Sequence, residues 1–143
     1  MLVIESEPWQ LILDHALSAY PQECCGILLG LLAPADPSRR TVTRAIACRN
    51  AHNGDQRDRF FIHPADQLAA QKRARAENLE VLGFFHSHPG GPAYFSATDL
   101  AESRPWYSNL VVSFQGGHFG GAASFIVDED KTRAEPEALI HPE

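Results

Sequence analysis

Residues 86–99, "HSHPGGPAYFSATD", place two histidines, a serine and an aspartate close together. Side chains alternate between the two faces of a β-strand, so His86 and His88 would project from one face of an extended segment. Together with the carboxylate of Asp99 they are a suitable ligand set for Zn²⁺, and three protein ligands leave a fourth tetrahedral position for water. No cysteine lies nearby, so the pattern predicts an open, catalytic metal site and not a closed structural one.

Each of these residues also has a simpler interpretation. Taken alone, His86 and His88 are polar residues at an emerging strand end. Ser96 followed by Asp99 matches a helix cap, in which an acid in the first turn is favoured by the helix dipole. The two interpretations are compatible, because a helix N-terminus is a rigid position for a carboxylate ligand. We therefore expect Asp99 to be a ligand that is mounted on the first turn of a short helix.

Hydrolysis at such a site also needs a base for the water proton and a donor for the developing oxyanion. Zinc would lower the pKa of its bound water towards ~7. The hydroxyl of Ser96 could supply the donor. Glu23 is the candidate base, because it precedes the apolar run "CCGILLG", where partial burial would raise the pKa of its carboxyl. The alternative for Glu23 is an exposed acid at the start of a strand.

Other chemistry-bearing residues have simpler interpretations. Cys24 and Cys25 could be nucleophiles, but both begin an apolar run, where packing as small hydrophobic side chains suits them better. The remaining candidates are histidines that we interpret as surface residues in a helix, in loops or near the chain end: His15, His52, His118 and His141.

Composition narrows the function classes. A chain of 143 residues with 44% apolar and 21% charged residues predicts a single globular domain, residues 1–143. The formal net charge of −6 argues against a nucleic-acid partner, which normally meets a basic surface. The longest apolar run is far shorter than the ~20 residues of a membrane span. Three cysteines, an odd number, suit a reducing compartment. With no signal-peptide pattern, these features predict a cytoplasmic protein without a membrane partner.

The predicted elements alternate between strands and helices. Helices are expected at "EPWQLILDHALSAY", "PADQLAAQKRARAEN" and "SATDLAESRPW". Strands are expected at "LVIE", "CCGILLGLL", "TVTRAIACRN", "RFFIH", "EVLGFFHSH", "SNLVVSF", "AASFIVDE" and, at a sheet edge, "EALIH". Turns are expected at "APADPSRR" and "QGGHFGG", and "NAHNGDQRDR" has the length of a functional loop. This order predicts a mixed sheet with helices packed on it, of class α/β or α+β.

The candidate residues together resemble the signature of the JAMM (MPN+, Mov34/PAD-1) metallopeptidase family. That signature is a glutamate on an early strand and, later, H-x-H-P, six residues, S, two residues and D. Here it is Glu23, "HSHP" at 86–89, "GGPAYF", Ser96 and Asp99. The segments "ECCGILLG" and "RN…RFFIHP" resemble the small prokaryotic branch, so the resemblance covers residues 3 to 127 or so. His63 departs from it, since many relatives carry an aspartate before this proline.

The resemblance implies a single α/β domain with a cytidine-deaminase-like mixed sheet flanked by helices. It implies one zinc ion per chain, bound by His86, His88 and Asp99. Glu23 would act as general base and then general acid, and Ser96 would stabilise the tetrahedral intermediate. The implied reaction is hydrolysis of the amide or isopeptide bond after the C-terminal Gly-Gly of a ubiquitin-like or sulfur-carrier protein, for example removal of a C-terminal cysteine.

The implied partner is chemically reasonable, because a Gly-Gly tail has no side chains and can enter a narrow groove as an added strand. Three alternatives share parts of the pattern. A non-catalytic MPN scaffold typically lacks the ligands that are all present here. RadC-like DNA-associated proteins carry a similar His-x-His-Pro…Ser-x-x-Asp string, and related phage tail-assembly domains are usually joined to a second peptidase domain. The complete motif and the excess of acidic residues favour the peptidase. The sequence does not identify the carrier protein or its adduct, nor does it decide whether the chain forms a homodimer.

Overall fold

Eight strands and three helices follow one another in a computed structural model that describes all residues from Met1 to Glu143. In chain order they are β1 (Leu2–Ile4), α1 (Ser6–Ala19), β2 (Cys25–Ala33), β3 (Asp36–Cys48), α2 (Pro64–Ala76), β4 (Glu80–Pro89), α3 (Ala97–Glu102), β5 (Ser108–Gln115), β6 (His118–Val127), β7 (Ala134–Glu137) and β8 (Leu139–Ile140). All the strands belong to one sheet, in the order β7-β6-β5-β4-β2-β3-β1-β8. The central pair β2 and β4 is antiparallel, whereas β4 and β5 are parallel. The predicted mixed sheet flanked by helices is therefore confirmed.

The two edges of the sheet meet at a single residue. β7 pairs with β6 at one edge and β8 pairs with β1 at the other, yet only Ala138 separates β7 from β8. The carbonyl of Ala138 accepts a hydrogen bond from the backbone N–H of Leu2 at 2.8 Å. Because β7 and β8 are almost consecutive in the chain but lie at opposite edges, the sheet must curl so that its two edges approach each other.

The two faces of the sheet carry separate apolar clusters. On one face α1 buries Trp9, Ile12 and Ala16 against strand residues that include Leu28 and Phe85. On the other face lie the α2 residues Ala70 and Ala74, with Cys25, Ile27, Leu29, Cys48 and Ile62. A fully buried Leu, Ile or Phe side chain contributes roughly 1.5–3 kcal/mol. The helices therefore hold β2 and β4 from both faces of the sheet.

Segment 59–63, "RFFIH", is not the strand that the sequence predicted. No strand lies between β3 and α2. Instead the backbone N–H of Phe61 donates to Asn50 Oδ1 at 3.1 Å, and the Phe61 carbonyl accepts from the N–H of Ala51 at 2.7 Å. The Asn50 side chain and the Ala51 backbone thus satisfy the backbone groups of Phe61 without a ladder, and of the apolar residues in this segment only Ile62 is fully buried.

The predicted turns are also shorter than expected. β2 ends at Ala33 and β3 begins at Asp36, within the segment that was predicted to be a turn. The second hairpin reverses at Gly116 and Gly117, whose φ angles are 59° and 80°. Two consecutive left-handed residues form a two-residue hairpin turn, so β6 already begins at the next residue.

The C-terminal region differs from the sequence prediction as well. The segment "EALIH" is divided between two strands on opposite edges, and β7 was not predicted. Pro136 lies in β7, where a missing backbone donor is tolerated because the strand is at an edge. None of the helices has both the length and the apolar character required to cross a lipid bilayer.

Candidate metal centre

Strand register brings the early glutamate to the histidine pair. β2 and β4 are antiparallel, and Cys25 lies opposite His86. Continuing this register by two residues places Glu23 opposite His88. Cross-strand partners project from the same face of a sheet. Glu23 and both histidines therefore lie on the face that carries α2.

Ser87 projects from the opposite face and ties the start of β2 to β4. Its hydroxyl accepts a hydrogen bond from the backbone N–H of Cys24 at 2.8 Å, and its own backbone N–H donates to the Cys24 carbonyl at 3.2 Å. Ser87 is 1% exposed, so the two bonds are shielded from water. These two bonds hold Cys24, the residue after Glu23, against β4.

Three ligand atoms of different side chains converge on one point. His86 Nε2 lies 3.1 Å from His88 Nε2, and Asp99 Oδ2 lies 3.3 Å and 3.2 Å from these two nitrogens. A tetrahedral zinc site with metal–ligand distances of about 2.0–2.1 Å has ligands about 3.3 Å apart. The spacing of the three atoms is therefore the spacing of three ligands of one zinc-sized ion.

The hydrogen bonding of His88 supports the same conclusion. His88 Nδ1 lies 3.1 Å from the carbonyl oxygen of Pro92, and a carbonyl only accepts hydrogen bonds. In the neutral form of the ring this contact places the proton on Nδ1, and the lone pair of Nε2 then faces the carboxylate of Asp99. Two acceptors at this distance need a proton or a cation between them. Metal-binding histidines have this arrangement, with the second nitrogen donating to a carbonyl, so these residues fit a divalent cation.

Burial and charge set the protonation of the ligands. Burial lowers the pKa of His86 below its ordinary value of 6.5, so this ring is neutral at pH 7 and its lone pair is available. The ring of Phe60 stacks on it, with centroids 4.6 Å apart. Burial alone raises the pKa of Asp99, but its contacts with His86 and His88 and the backbone N–H of Ser96 outweigh burial and hold that pKa well below its usual range. The carboxylate is therefore ionised.

The short helix α3 mounts the carboxylate as the sequence predicted. Ser96 is its N-cap: the hydroxyl oxygen accepts from the backbone N–H of Asp99 at 3.0 Å, and Asp99 Oδ2 accepts from the backbone N–H of Ser96 at 3.0 Å. The same Oδ2 faces the histidines, so capping and ligand positioning use one atom. The hydroxyl hydrogen of Ser96 has no acceptor within the chain.

Glu23 is a buried carboxyl group without a fixed partner. The residue is 5% exposed, and its Oε1 atom is buried without a hydrogen bond. Burial raises its pKa to about 8, with further increases from the nearby carboxylates of Asp99, Asp58 and Glu102. A carboxyl group with this pKa can take up and release a proton near neutral pH. This environment is the one that the sequence analysis required of a general base.

The long loop between β3 and α2 holds the backbone of Glu23. The backbone carbonyl oxygen of Gln56 accepts a hydrogen bond from the backbone N–H of Glu23 at 2.6 Å. Asn50 Nδ2 donates to the Glu23 carbonyl at 3.2 Å, and Gln56 Nε2 donates to the Asn50 carbonyl at 3.0 Å. Sequence reasoning missed Asn50 and Gln56. Asn is common in loops because its side chain forms hydrogen bonds with backbone groups. An Asn in a loop sequence does not, however, indicate which backbone groups it will bond.

Two cavities lie on the α2 face of the sheet. A groove of about 720 Å³ borders His86 and Asp99 and has walls that include Phe60, Phe84 and Phe95. The second, of about 310 Å³, is bordered by Cys48, Asp66 and Arg73 and by none of the candidate site residues. Of these two cavities, the larger groove is the one that borders the converging ligand atoms, at His86 and Asp99.

Two of the remaining sequence interpretations need correction. His15 is half-buried, and its Nε2 bonds the carbonyl oxygens of Cys25 and Cys48 at 3.1 and 3.2 Å, so it links α1 to β2 and β3. His141 stacks on Trp9, with centroids 4.2 Å apart. Neither histidine is a free surface residue.

The cysteines have the environment of packing residues. All three, Cys24, Cys25 and Cys48, are buried and free. Burial raises the pKa of the Cys24 thiol to about 11 and raises that of Cys25 as well. Both thiols are therefore protonated at neutral pH, which disfavours a cysteine nucleophile.

Comparison with known proteins places these features in a family. The family model described as prokaryotic homologs of the JAB domain matches residues 6–134. A Thermus thermophilus protein named "Probable TtuB-protein conjugate cleaving protease" is 34% identical over 117 residues, which cover 80% of this chain and 68% of that protein. A Pyrococcus furiosus protein named "Desampylase" is 33% identical over 124 residues, 87% of this chain and 80% of that one. The solution structure of a Desulfitobacterium hafniense protein superimposes with a TM-score of 0.83 at 31% identity, covering 100% and 94% of the two chains.

Proposed function

The chain belongs to the prokaryotic homologs of the JAB domain, and from this membership and its site we propose that it is a zinc-dependent peptidase of JAMM type. Its reaction is hydrolysis of the amide bond after the C-terminal Gly-Gly of a ubiquitin-like or sulfur-carrier protein. One observation carries the proposal: His86 Nε2, His88 Nε2 and Asp99 Oδ2 converge within 4.8 Å of one another, on the sheet face that also carries the buried carboxyl of Glu23.

The names of two relatives support the substrate class. The Thermus thermophilus relative is named for cleaving TtuB–protein conjugates, and the Pyrococcus furiosus relative is named a desampylase. From these names we infer that this chain also cleaves the bond between a ubiquitin-like protein and the group attached to its C-terminus. A Gly-Gly tail suits this groove, because glycine has no side chain to clash with the aromatic walls.

His86, His88 and Asp99 are the residues that would hold the ion, one per chain. Two neutral imidazoles and a carboxylate suit Zn²⁺, and three protein ligands leave one coordination position open. When bound, such an ion lowers the pKa of a water molecule and polarises the carbonyl of the substrate. The protein's own contribution is to hold the three ligands in fixed orientations through α3 and the carbonyl of Pro92.

Glu23 carries the proton in this proposal. Its carboxylate accepts a proton from the attacking water and passes it to the amine that leaves, so the peptide bond is replaced by a carboxylic acid and a free amine. A pKa near 8 suits both steps, because the group is neither permanently charged nor permanently protonated near neutral pH. A bound cation would lower this pKa by Coulomb attraction, towards the working range of a base.

Ser96 is the proposed donor to the oxyanion. Its hydroxyl oxygen is used by the helix cap, whereas its hydrogen has no acceptor within the chain. This hydrogen is free to bond the substrate carbonyl oxygen as negative charge develops on it. Donors of this kind contribute on the order of 10²–10³ to kcat.

The proposed setting is the cytoplasm, with a protein substrate and with neither nucleic acid nor a membrane as partner. Three free cysteines suit a reducing compartment. The net charge of −6 would repel a phosphate backbone. These points concern the environment of the reaction and not its chemistry.

The test is mass spectrometry of a carrier protein ending in Gly-Gly-Cys, incubated with the zinc-loaded chain with and without chelator. We expect loss of the terminal residue, blocked by chelation and restored by added zinc. An intact carrier would contradict the proposal. Binding to DNA at ~0.15 M salt without hydrolysis would favour the RadC-like alternative, and binding to the carrier without hydrolysis would favour a scaffold.

A further inference from the structure

Arg104 is the only Lys or Arg among the residues that line the groove beside the metal ligands. The other formally charged side chains in that lining are acidic, Asp99 and Glu102. An acidic group entering the groove would be repelled by Glu102, and Asp99 is occupied with the two histidines. Among the side chains of this lining, Arg104 is therefore the one with a permanent positive charge to offer a carboxylate.

The guanidinium of Arg104 is held in place but keeps most of its donors. Its Nη2 donates to Gln67 Oε1 at 2.7 Å. Its central carbon lies 5.4 Å from the ring centroids of both Phe84 and Tyr107, within the range of cation–π contact. A guanidinium has five N–H donors, and this side chain makes one hydrogen bond within the chain.

Arg104 also differs from the other arginines near acidic groups. Arg44, Arg57, Arg73 and Arg133 each pair with a carboxylate. Arg104 takes part in none of the ion pairs of the chain. Its remaining donors therefore have no anionic partner within the chain, Arg104 lines the groove, and its planar fork matches a carboxylate in a bidentate manner.

Strand geometry gives the spacing between Phe84, over which Arg104 lies, and the candidate ligand His86. Phe84 and His86 lie on the same face of β4, two residues apart, and so about 6.7 Å apart along the strand. Arg104 lies over Phe84 at one end of this interval, and the candidate ligand His86 lies at the other end. The interval corresponds to about two residues of extended peptide.

We propose that Arg104 binds the free C-terminal carboxylate of a short adduct, one or two residues long, attached to the Gly-Gly end of the carrier. The chain would then favour C-terminal adducts over isopeptide conjugates, whose leaving lysine has no free carboxylate at this distance. This inference rests on the proposed function and names its substrate class. Arg104 acts in it as a specificity residue and takes no part in proton transfer.

The test compares three substrates made from one carrier: Gly-Gly-Cys with a free carboxylate, the same with a C-terminal amide, and a Gly-Gly isopeptide to a lysine peptide. For the zinc-loaded wild type we expect kcat/KM for the free acid to exceed that for the amide roughly 10- to 100-fold, as for a hydrogen bond to a charged group. Arg104→Gln should remove this preference through KM, and Arg104→Lys should restore part of it. Arg75→Gln, at an exposed arginine outside the groove, is the matched control and should keep the preference.

The outcomes separate this inference from the proposed function. Equal cleavage of acid and amide by the wild type would overturn the role of Arg104 and leave the peptidase activity standing. If Arg104→Gln lowers kcat/KM equally for the acid and the amide, Arg104 has a structural role. That result would also overturn the proposed specificity role and leave the peptidase activity standing. If the zinc-loaded wild type cleaves none of the three substrates, both proposals are wrong.

Discussion

His88 Nδ1 and the carbonyl oxygen of Pro92 lie 3.1 Å apart, and this contact decides which ring nitrogen faces Asp99. The loop after β4 folds back to provide the carbonyl, and Gly91 within it accepts a hydrogen bond from the hydroxyl of Ser113 on β5. The tautomer of one ligand is thus fixed by the next turn of the chain and by a neighbouring strand. The predictions below test this centre and the groups around it.

Glu23→Gln should abolish hydrolysis without loss of metal. The amide has nearly the same volume but accepts no proton, so we expect kcat to fall about 10²- to 10⁴-fold. Zinc content, measured by elemental analysis, should stay at one ion per chain. Glu7→Gln, at an exposed glutamate of α1, is the control and should behave as wild type. An active Glu23→Gln protein would show that another group is the base.

The contribution of Glu23 to the stability of the metal-free protein should fall as pH rises from about 4.5 to about 8. Glu23 has a pKa of about 8 when folded and an ordinary value of 4.5, so in this window the folded state keeps a proton that the unfolded state has released. By linkage, the stabilisation is fully present below 4.5 and is lost as pH passes through 8. In urea unfolding from pH 5 to pH 8, the stability of the wild type should fall by a few kcal/mol relative to that of Glu23→Gln. Parallel curves for the two proteins would argue against a buried carboxyl with a raised pKa.

Asp99→Asn should weaken zinc binding and keep most of the helix cap. The amide oxygen can still accept the backbone N–H of Ser96, whereas the negative charge that faces the histidines is lost. Zinc should raise the Tm of the wild type, because a ligand that binds only the folded state stabilises it. We expect this shift to vanish or shrink strongly in Asp99→Asn and to persist in Asp130→Asn, an exposed aspartate outside the site. An unchanged shift in both would place the ion elsewhere.

Ser96→Ala should have two separable effects. Loss of an N-cap costs about 0.5–2 kcal/mol of stability, and loss of the oxyanion donor lowers kcat on the order of 10²-fold or more. Ser96→Thr keeps a hydroxyl for both roles and should retain stability and most activity. Thermal unfolding and steady-state kinetics on the same samples distinguish the two effects. A drop in stability with unchanged kcat would leave Ser96 only a capping role.

The sequence by itself determined the parts of the protein that follow local rules. Alternation along a strand places His86 and His88 on one face, and the S-x-x-D pattern begins a helix with Ser96 as its cap; both rules act over four residues or fewer. The long helix of residues 64–76 and the buried β2 follow in the same way from local composition. For this reason the candidate ligands could be named before any coordinates were known.

Tertiary structure alone decided the contacts between distant segments. The side chain of Ser87 meets the backbone of Cys24, 63 residues away, and so brings Glu23 to the histidines. The donors of Arg104 reach Gln67 across 37 residues. Strand register and edge pairing depend on how whole faces are buried, and a shift of one residue would turn every side chain to the other face. Since many segments compete for these pairings and the free energy of the complete fold selects among them, a single sequence pattern could not name the partners.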